Sequence, residues 1–274
     1  MFQYAVARSL SLRLGEELVL DPHWFSHQLP GETVRPLELT RYPVRQRLAT
    51  PQEQRKWRVL RSRWNRFLGP LRPMTLLRET PGAYNASISR ARPDTYLFGF
   101  WQSEKYFKDI RTNLLEELSP VAPPSPQDAE VLASIERGDA ISVHIRRGDY
   151  VSSSSAAAFH GVCSMDYYER AIEHVARQLA KPVLYIFSDD PDWTRQNLKS
   201  PYPSHYVNHN SPADAFQDLR LMSHCKHHVI ANSSFSWWGA WLATSPDKIV
   251  VAPRNWFLSG LPTTDLIPHD WVRL

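Results

Sequence analysis

Apolar positions along the chain follow two periods in turn. Phe2, Val6, Leu10 and Leu14 stand four apart and predict a helix over residues 2–14. Leu18-Val19-Leu20-Asp21 reads as a short buried strand. Residues 22–50 lose the pattern, and Pro22, Pro30, Pro36 and Pro43, with Pro51 just beyond, mark them as loop. A short aromatic strand is expected over 96–101, then a helix capped by Ser103 and running to about residue 118. The run S-P-V-A-P-P-S-P-Q at 119–127 holds four prolines in nine residues and predicts a stiff, extended spacer.

After that spacer the two periods alternate. Strands are predicted at 140–146, 183–188, 205–207, 227–231 and 248–251. Helices are predicted at 165–180, 192–198, 213–224 and 234–243. Such alternation makes an α/β fold, a parallel sheet with helices on both faces. The division expected is a first domain over 1–118, a Pro-rich linker over 119–127 and a second domain over 128–274. No internal repeat is present, and the low-complexity stretch 152–158 reads as a loop.

Length and composition fit this picture. The 274 residues suffice for one large domain or two ordinary ones. With 42% hydrophobic and 22% charged residues, wholesale disorder is excluded. No run of 18 apolar residues spans a bilayer, and the opening M-F-Q-Y-A-V-A-R-S-L lacks the layout of a signal peptide. Cys163 and Cys225 are too few for a disulfide framework and read as small buried thiols in a reducing compartment. A cytoplasmic protein is expected.

Charge is concentrated. Residues 41–72 carry ten Lys/Arg against Glu53, a net +9, which leaves −5 for the rest of a chain whose total is +4. A nucleic-acid binder with a general basic surface is therefore disfavoured. Within the stretch, Trp57, Leu60, Trp64 and Phe67 recur at helical spacing between arginines. Two readings stay open: a basic amphipathic helix resting on the anionic inner face of a membrane, or a surface helix whose apolar stripe packs on its own domain.

Three strand ends carry candidate chemistry, because ligands of open parallel sheets bind off the carboxyl ends of the strands. The first is H-I-R-R-G-D-Y, residues 144–150. Alternation puts His144 and Arg146 on one face and Arg147 on the other, and Gly148 permits a sharp turn. Two adjacent guanidiniums there suit a phosphate. The second is A-N-S-S-F-S-W-W-G-A-W-L, residues 231–242, where Ser233 or Ser234 caps a helix whose start also suits an anion. Trp237 and Trp241 lie one turn apart, for core packing or for sugar stacking. The third is F-S-D-D-P-D, residues 187–192. Asp190 and Asp192 make a D-x-D pattern that either binds a divalent metal or caps the next helix. The cluster H-C-K-H-H at 224–228 straddles a helix-to-strand join, so its side chains should diverge rather than share a metal.

These stretches, together with M-F-Q-Y-A at 1–5 and weaker echoes at 99–102, 160–164 and 218–225, resemble the bacterial α-1,2-fucosyltransferases of glycosyltransferase family 11. The resemblance implies two facing Rossmann-like domains of GT-B type. It implies GDP-L-fucose as donor, inversion, no required metal, and a terminal β-galactoside as acceptor in surface-glycan or lipopolysaccharide synthesis. Arg146 would neutralise the leaving diphosphate with Arg147 in support. His144 and Asp189 would hold the guanine region, and Asn232, Ser233, Ser234 and Phe235 would form the phosphate-side segment. The acceptor hydroxyl needs a proton acceptor, for which Asp149 is the first candidate and His160 the second. The family pattern places a Gly-rich run after a first strand, just before M-F-Q-Y-A, so the first domain is expected to lack its leading strand. Two other classes are distinguishable: a metal-dependent nucleotide-sugar transferase using Asp190 and Asp192, and a non-catalytic glycan-binding or membrane-docking protein.

Overall fold

The computed structural model describes residues 1–26, 36–61, 75–80, 82–148, 159 and 161–274. The expected loop at 152–158 and the proton-acceptor candidates Asp149 and His160 lie outside those residues, as do Trp64 and Phe67 of the basic stretch. The chain divides into two compact units, Met1–Ser119 with Pro262–Leu266, and Pro120–Leu261 with Ile267–Leu274. Among the described residues no helix is long and apolar enough to cross a membrane.

The first unit opens with α1 (Phe2–Leu14), which buries Phe2, Tyr4, Ala5, Val6 and Leu10 and ends on Gly15 in the left-handed conformation (φ 69°). Its strands come as two parallel pairs. β1 (Val19–Leu20) pairs with β2 (Arg47–Leu48), and β3 (Thr75–Arg78) pairs with β4 (Thr95–Phe98). Helix α2 (Pro51–Arg61) occupies the basic stretch. The lone acid there, Glu53, closes a capping box with Thr50: Thr50 N donates to Glu53 Oε2 at 2.8 Å and Glu53 N donates to Thr50 Oγ1 at 3.3 Å. Trp57 is buried with Ala49, Val19 and Tyr96, so the described part of the apolar stripe packs on its own unit. The helix expected from Ser103 to residue 118 is broken. Two 3-10 turns, Glu104–Tyr106 and Lys108–Ile110, precede α3 (Arg111–Glu117). Phe107 causes the break, having left helical backbone (φ −150°) while its ring is fully buried.

The proline-rich run is not a free spacer. Proline carbonyls accept but their nitrogens cannot donate, and here the second unit supplies the donors. Gln217 Nε2 donates to Pro123 O at 3.0 Å and Arg220 Nη2 to Pro120 O at 3.0 Å. The run ends as a helix start: Ser125 caps α4 (Pro126–Glu136) in a capping box with Asp128, with Pro126 in the first turn.

Behind it lies a six-stranded parallel sheet in the order β10-β9-β8-β5-β6-β7. The strands are β5 (Asp139–Ile145), β6 (Pro182–Ser188), β7 (Ser204–Val207), β8 (His227–Val229), β9 (Val250–Ala252) and β10 (Val272–Arg273). The intervening helices are α5 (Met165–Ala176), α6 (Pro191–Asn197), α7 (Ala215–His224) and α8 (Ser234–Leu242). Odd positions of β5 (Ile141, Val143, Ile145) pack with Tyr168, Ala171, Ile172 and Val175 of α5. Ala140, with Tyr185 and Phe187 of β6, packs with Ile135 of α4 and Leu221 and Met222 of α7. Both faces are thus covered, which is why the strands read as nearly unbroken apolar runs.

From β5 the sheet grows outward through β6 and β7, then restarts on the other side of β5 with β8. The strand order therefore reverses between β5 and β8. In open α/β sheets the crevice at such a reversal, off the carboxyl ends, is where ligands bind.

Candidate active site

The two strongest motifs border that crevice. H-I-R-R-G leaves β5, and N-S-S-F leaves β8 and enters α8. The His144 and Phe235 rings stand 5.6 Å apart, which ties the β5 tip to the first turn of α8.

Strand register explains the arginines. His144 lies opposite Phe187 and Ile145 opposite Ser188 in the parallel β5–β6 pair. Continuing that register sets Arg146 beside Asp189 and Arg147 beside Asp190. The ion pairs follow: Arg146 Nη1 to Asp189 Oδ2 at 2.8 Å, and Arg147 Nε to Asp190 Oδ2 at 3.3 Å. Asp189 also accepts the Arg147 backbone N–H at 2.8 Å, so both its oxygens serve the arginine pair. Arg147 is further held by Trp193, whose ring centroid lies 3.9 Å from the guanidinium carbon. Each guanidinium is fixed by a carboxylate yet about a quarter exposed, at 23% and 25%. A cation held this way is oriented in advance for a more highly charged anion.

Gly148 is required for a reason other than the expected turn. Its φ is not in the left-handed region. A Cβ there would come within 2.8 Å of Asp189 Oδ2, so a side chain would displace the carboxylate that holds Arg146.

His144 is 5% exposed, and its Nδ1 has no hydrogen-bond partner among the described residues. Burial first, and the neighbouring Arg146 charge second, push its pKa down to about 3, so the imidazole is neutral at physiological pH.

Ser233 caps α8, its Oγ accepting the Phe235 N–H at 3.3 Å, and Ser234 stands exposed in the first turn. Asn232 does not present its side chain to the crevice. It is 2% exposed, donates to Gly161 O and Trp256 O at 3.2 Å each, and accepts from Cys163 Sγ at 3.5 Å. Its amide pins the segment after residue 160 to the β8 tip. Burial drives the Cys163 thiol up to about 11, which keeps it protonated.

One open reading closes here, that of the tryptophans. Trp237, Trp238 and Trp241 are core: the Trp237 and Trp241 rings stack 6.1 Å apart at 10°, and Trp237 also meets Trp271 at 5.5 Å. Asp190 caps α6, accepting the Trp193 N–H at 3.3 Å, and pairs with Arg147, while Asp192 is exposed in the first turn. Among the described residues neither aspartate joins a cluster of three metal-ligating groups, and neither do His224, His227 and His228. Trp193 is the site residue that the motifs did not flag. Its signal is present in D-D-P-D-W, an aromatic three residues after the cap that faces the arginines.

The geometry sets two oriented guanidiniums and a serine-capped helix at one switch point of a parallel sheet covered by helices on both faces. Residues 80–274 match Glycosyl transferase family 11, and the chain belongs to that family. It is 34% identical to the O-antigen biosynthesis glycosyltransferase WbnK of Escherichia coli, across all of this chain and 96% of that protein. It is 38% identical to an Escherichia coli alpha-1,2-colitosyltransferase over 64% of this chain and 61% of that protein. NodZ alpha-1,6-fucosyltransferase soaked with GDP-fucose aligns with 88% of this chain and 87% of its own at 18% identity, with a TM-score of 0.43.

Proposed function

We propose that this glycosyltransferase transfers L-fucose from GDP-L-fucose, with inversion, to the 2-hydroxyl of a terminal β-galactoside in a bacterial surface glycan. The observation that carries the reading is the placement of Arg146 and the Ser233 cap on the two sides of one switch point. The acceptor oxygen attacks the anomeric carbon as the bond to the β-phosphate oxygen breaks. Positive charge grows on the sugar ring and negative charge on departing GDP. Arg146 stabilises that leaving group, Arg147 supports it, and the α8 start meets the remaining phosphate charge. His144 contributes a neutral ring, not a cation. The proton of the acceptor hydroxyl passes to Asp149, with His160 as the alternative. No metal enters the reaction.

The names of the relatives support this reading. One acts in O-antigen biosynthesis and another carries the alpha-1,2 linkage. The latter favours one variant of the reading, a donor carrying colitose in place of fucose, on the same two cationic elements. The test is incubation with GDP-fucose and a panel of β-galactosides, reading GDP release and product linkage. Galactoside-dependent GDP release with a 1,2-linked fucosyl product is expected. Release only from the colitose donor selects the variant, and no release from either overturns both.

A further inference from the structure

One loop of the first unit holds a phenyl ring in solvent. Phe98 ends β4, and Gly99-Phe100-Trp101-Gln102 follow. The Glu79 carboxylate, one residue past β3, accepts the backbone N–H groups of Phe100 at 2.6 Å, Trp101 at 2.7 Å and Gln102 at 3.3 Å. Gly99 (φ 151°) lies so near that a Cβ would come within 2.3 Å of Glu79 Cβ, and its carbonyl accepts from Gln3 Nε2 at 2.9 Å. Trp101 adopts φ 58°, which a bulky residue rarely takes. It is 1% exposed, and its indole N–H has no acceptor among the described residues. These are costs that persist only where surrounding structure enforces them, and such outliers gather at ligand-binding loops.

The clamp turns Trp101 inward and leaves Phe100 in solvent. Trp101 packs edge-on against Tyr106 at 5.4 Å, whereas Phe100 is 70% exposed. Beside it, Phe98 is 43% exposed with the Arg78 guanidinium 4.7 Å over its ring. Folding alone gains nothing from fixing a phenyl ring in water. A stable protein partner would need roughly 800 Å² on this side, far more than one ring offers. Two exposed phenyl rings two residues apart, one of them under the Arg78 guanidinium, match a sugar, which has an apolar C–H face and a rim of hydroxyls.

We propose that Phe100 is a stacking platform for a pyranose ring of the acceptor glycan, and that Glu79 is the positioning residue that presents it. The proposal rests on the transferase reading above, and the experiment separates the two. Phe100→Ala, Phe100→Trp and Glu79→Ala are compared with the wild type in three measurements. These are acceptor KM and kcat with GDP-fucose, GDP affinity by calorimetry, and saturation-transfer NMR with the methyl β-glycosides of galactose, glucose and N-acetylglucosamine. Phe100→Ala should raise acceptor KM by about tenfold, with kcat and GDP affinity within about twofold, and should lose the NMR signal. Phe100→Trp should restore both, and Glu79→Ala should reproduce the KM defect with Phe100 intact. An acceptor KM and NMR signal unchanged in Phe100→Ala, or no NMR signal from any glycoside with the wild type, overturns the platform. A wild type that binds a glycoside through Phe100 but neither binds GDP nor transfers fucose overturns the donor reading and leaves the platform standing.

Discussion

At the scale of single residues, the site turns on how charges are held. Asp189 restrains Arg146, and on the proposed reading a diphosphate, carrying more charge than that carboxylate, would displace it. Arg146→Ala should lower kcat by about 10² to 10³, the usual loss for one oriented donor at developing negative charge. Arg146→Lys should recover only part of it, since an ammonium lacks the planar fork that serves Asp189 and phosphate together. A GDP-release assay checks both, and an alanine variant that keeps most of its kcat overturns the assignment. His144 gives a prediction in pH. Its folded pKa, about 3, lies below its unfolded value, and His228 is lowered in the same direction by burial. Between those values the unfolded chain binds protons that the folded chain refuses, so stability falls as pH drops below about 6.5. Asp218 works the other way. Burial raises it to about 6, so its contribution declines as pH rises toward that value. Urea unfolding at pH 7 and pH 5 should therefore show acid destabilisation. His144→Asn should make that slope shallower, by about 1 kcal/mol per pH unit between pH 7 and pH 5; an unchanged slope would show that His144 takes up its proton without cost. Both arginines were legible in the sequence as a pair at the tip of β5. Their aspartate partners were not, because pairing Arg146 with Asp189 depends on a register between strand positions 43 residues apart that no local pattern displays.

At the scale of elements, the helix that follows β8 shows how packing and site share one segment. Ser233 serves its start, three tryptophans bind its body to the core, and Lys248 Nζ closes its end by donating to Ala240 O at 2.7 Å and Ala243 O at 2.9 Å. Gly239 lets α8 approach α7: a Cβ there would lie 2.9 Å from Met222 Cβ and 3.2 Å from its Sδ. Alanine favours an isolated helix by about 1 kcal/mol over glycine. Overpacking against a neighbouring Cβ costs about 1–3 kcal/mol. The net expectation for Gly239→Ala is a lower Tm in a thermal melt, and a raised Tm would show that α7 yields freely. The elements of the second unit were legible nearly throughout, because buried strands and amphipathic helices differ in period. Three kinds of element escaped. α4 was hidden because its prolines read as spacer, although S-P-Q-D carries the cap and first-turn proline of a helix start. β2, which lies inside the expected loop 22–50, β3 and β10 are too short to show a period. The break before α3 follows from the burial of Phe107, a tertiary demand that helical spacing cannot report.

At the scale of the whole molecule, charge is placed by element rather than spread. The +9 stretch of the first unit is already used in part: Arg47 pairs with Glu17 at 2.7 Å and with Glu53 at 2.8 Å, and Trp57 is buried. The two cations that register and a switch point deliver to one crevice are instead Arg146 and Arg147 of the second unit. That distribution bears on metal dependence. A nucleotide-sugar transferase must balance the charge that develops on the diphosphate, by a divalent ion on carboxylates or by fixed cationic side chains. Here the carboxylates of the D-D-P-D segment are directed elsewhere. Asp189 holds Arg146, Asp190 holds Arg147 and caps α6, and Asp192 is exposed. A metal site built from them would have to release the arginines. The expectation is that GDP release from GDP-fucose proceeds at the same rate, within about twofold, in EDTA and in added magnesium or manganese. Abolition by EDTA with recovery on adding the metal would move the catalytic charge from Arg146 to an ion and end this account of the site. The same assay on Asp192→Asn isolates the cause. Full activity is expected, because that carboxylate takes no part in holding either arginine, and a loss of metal-dependent turnover would identify it as a ligand.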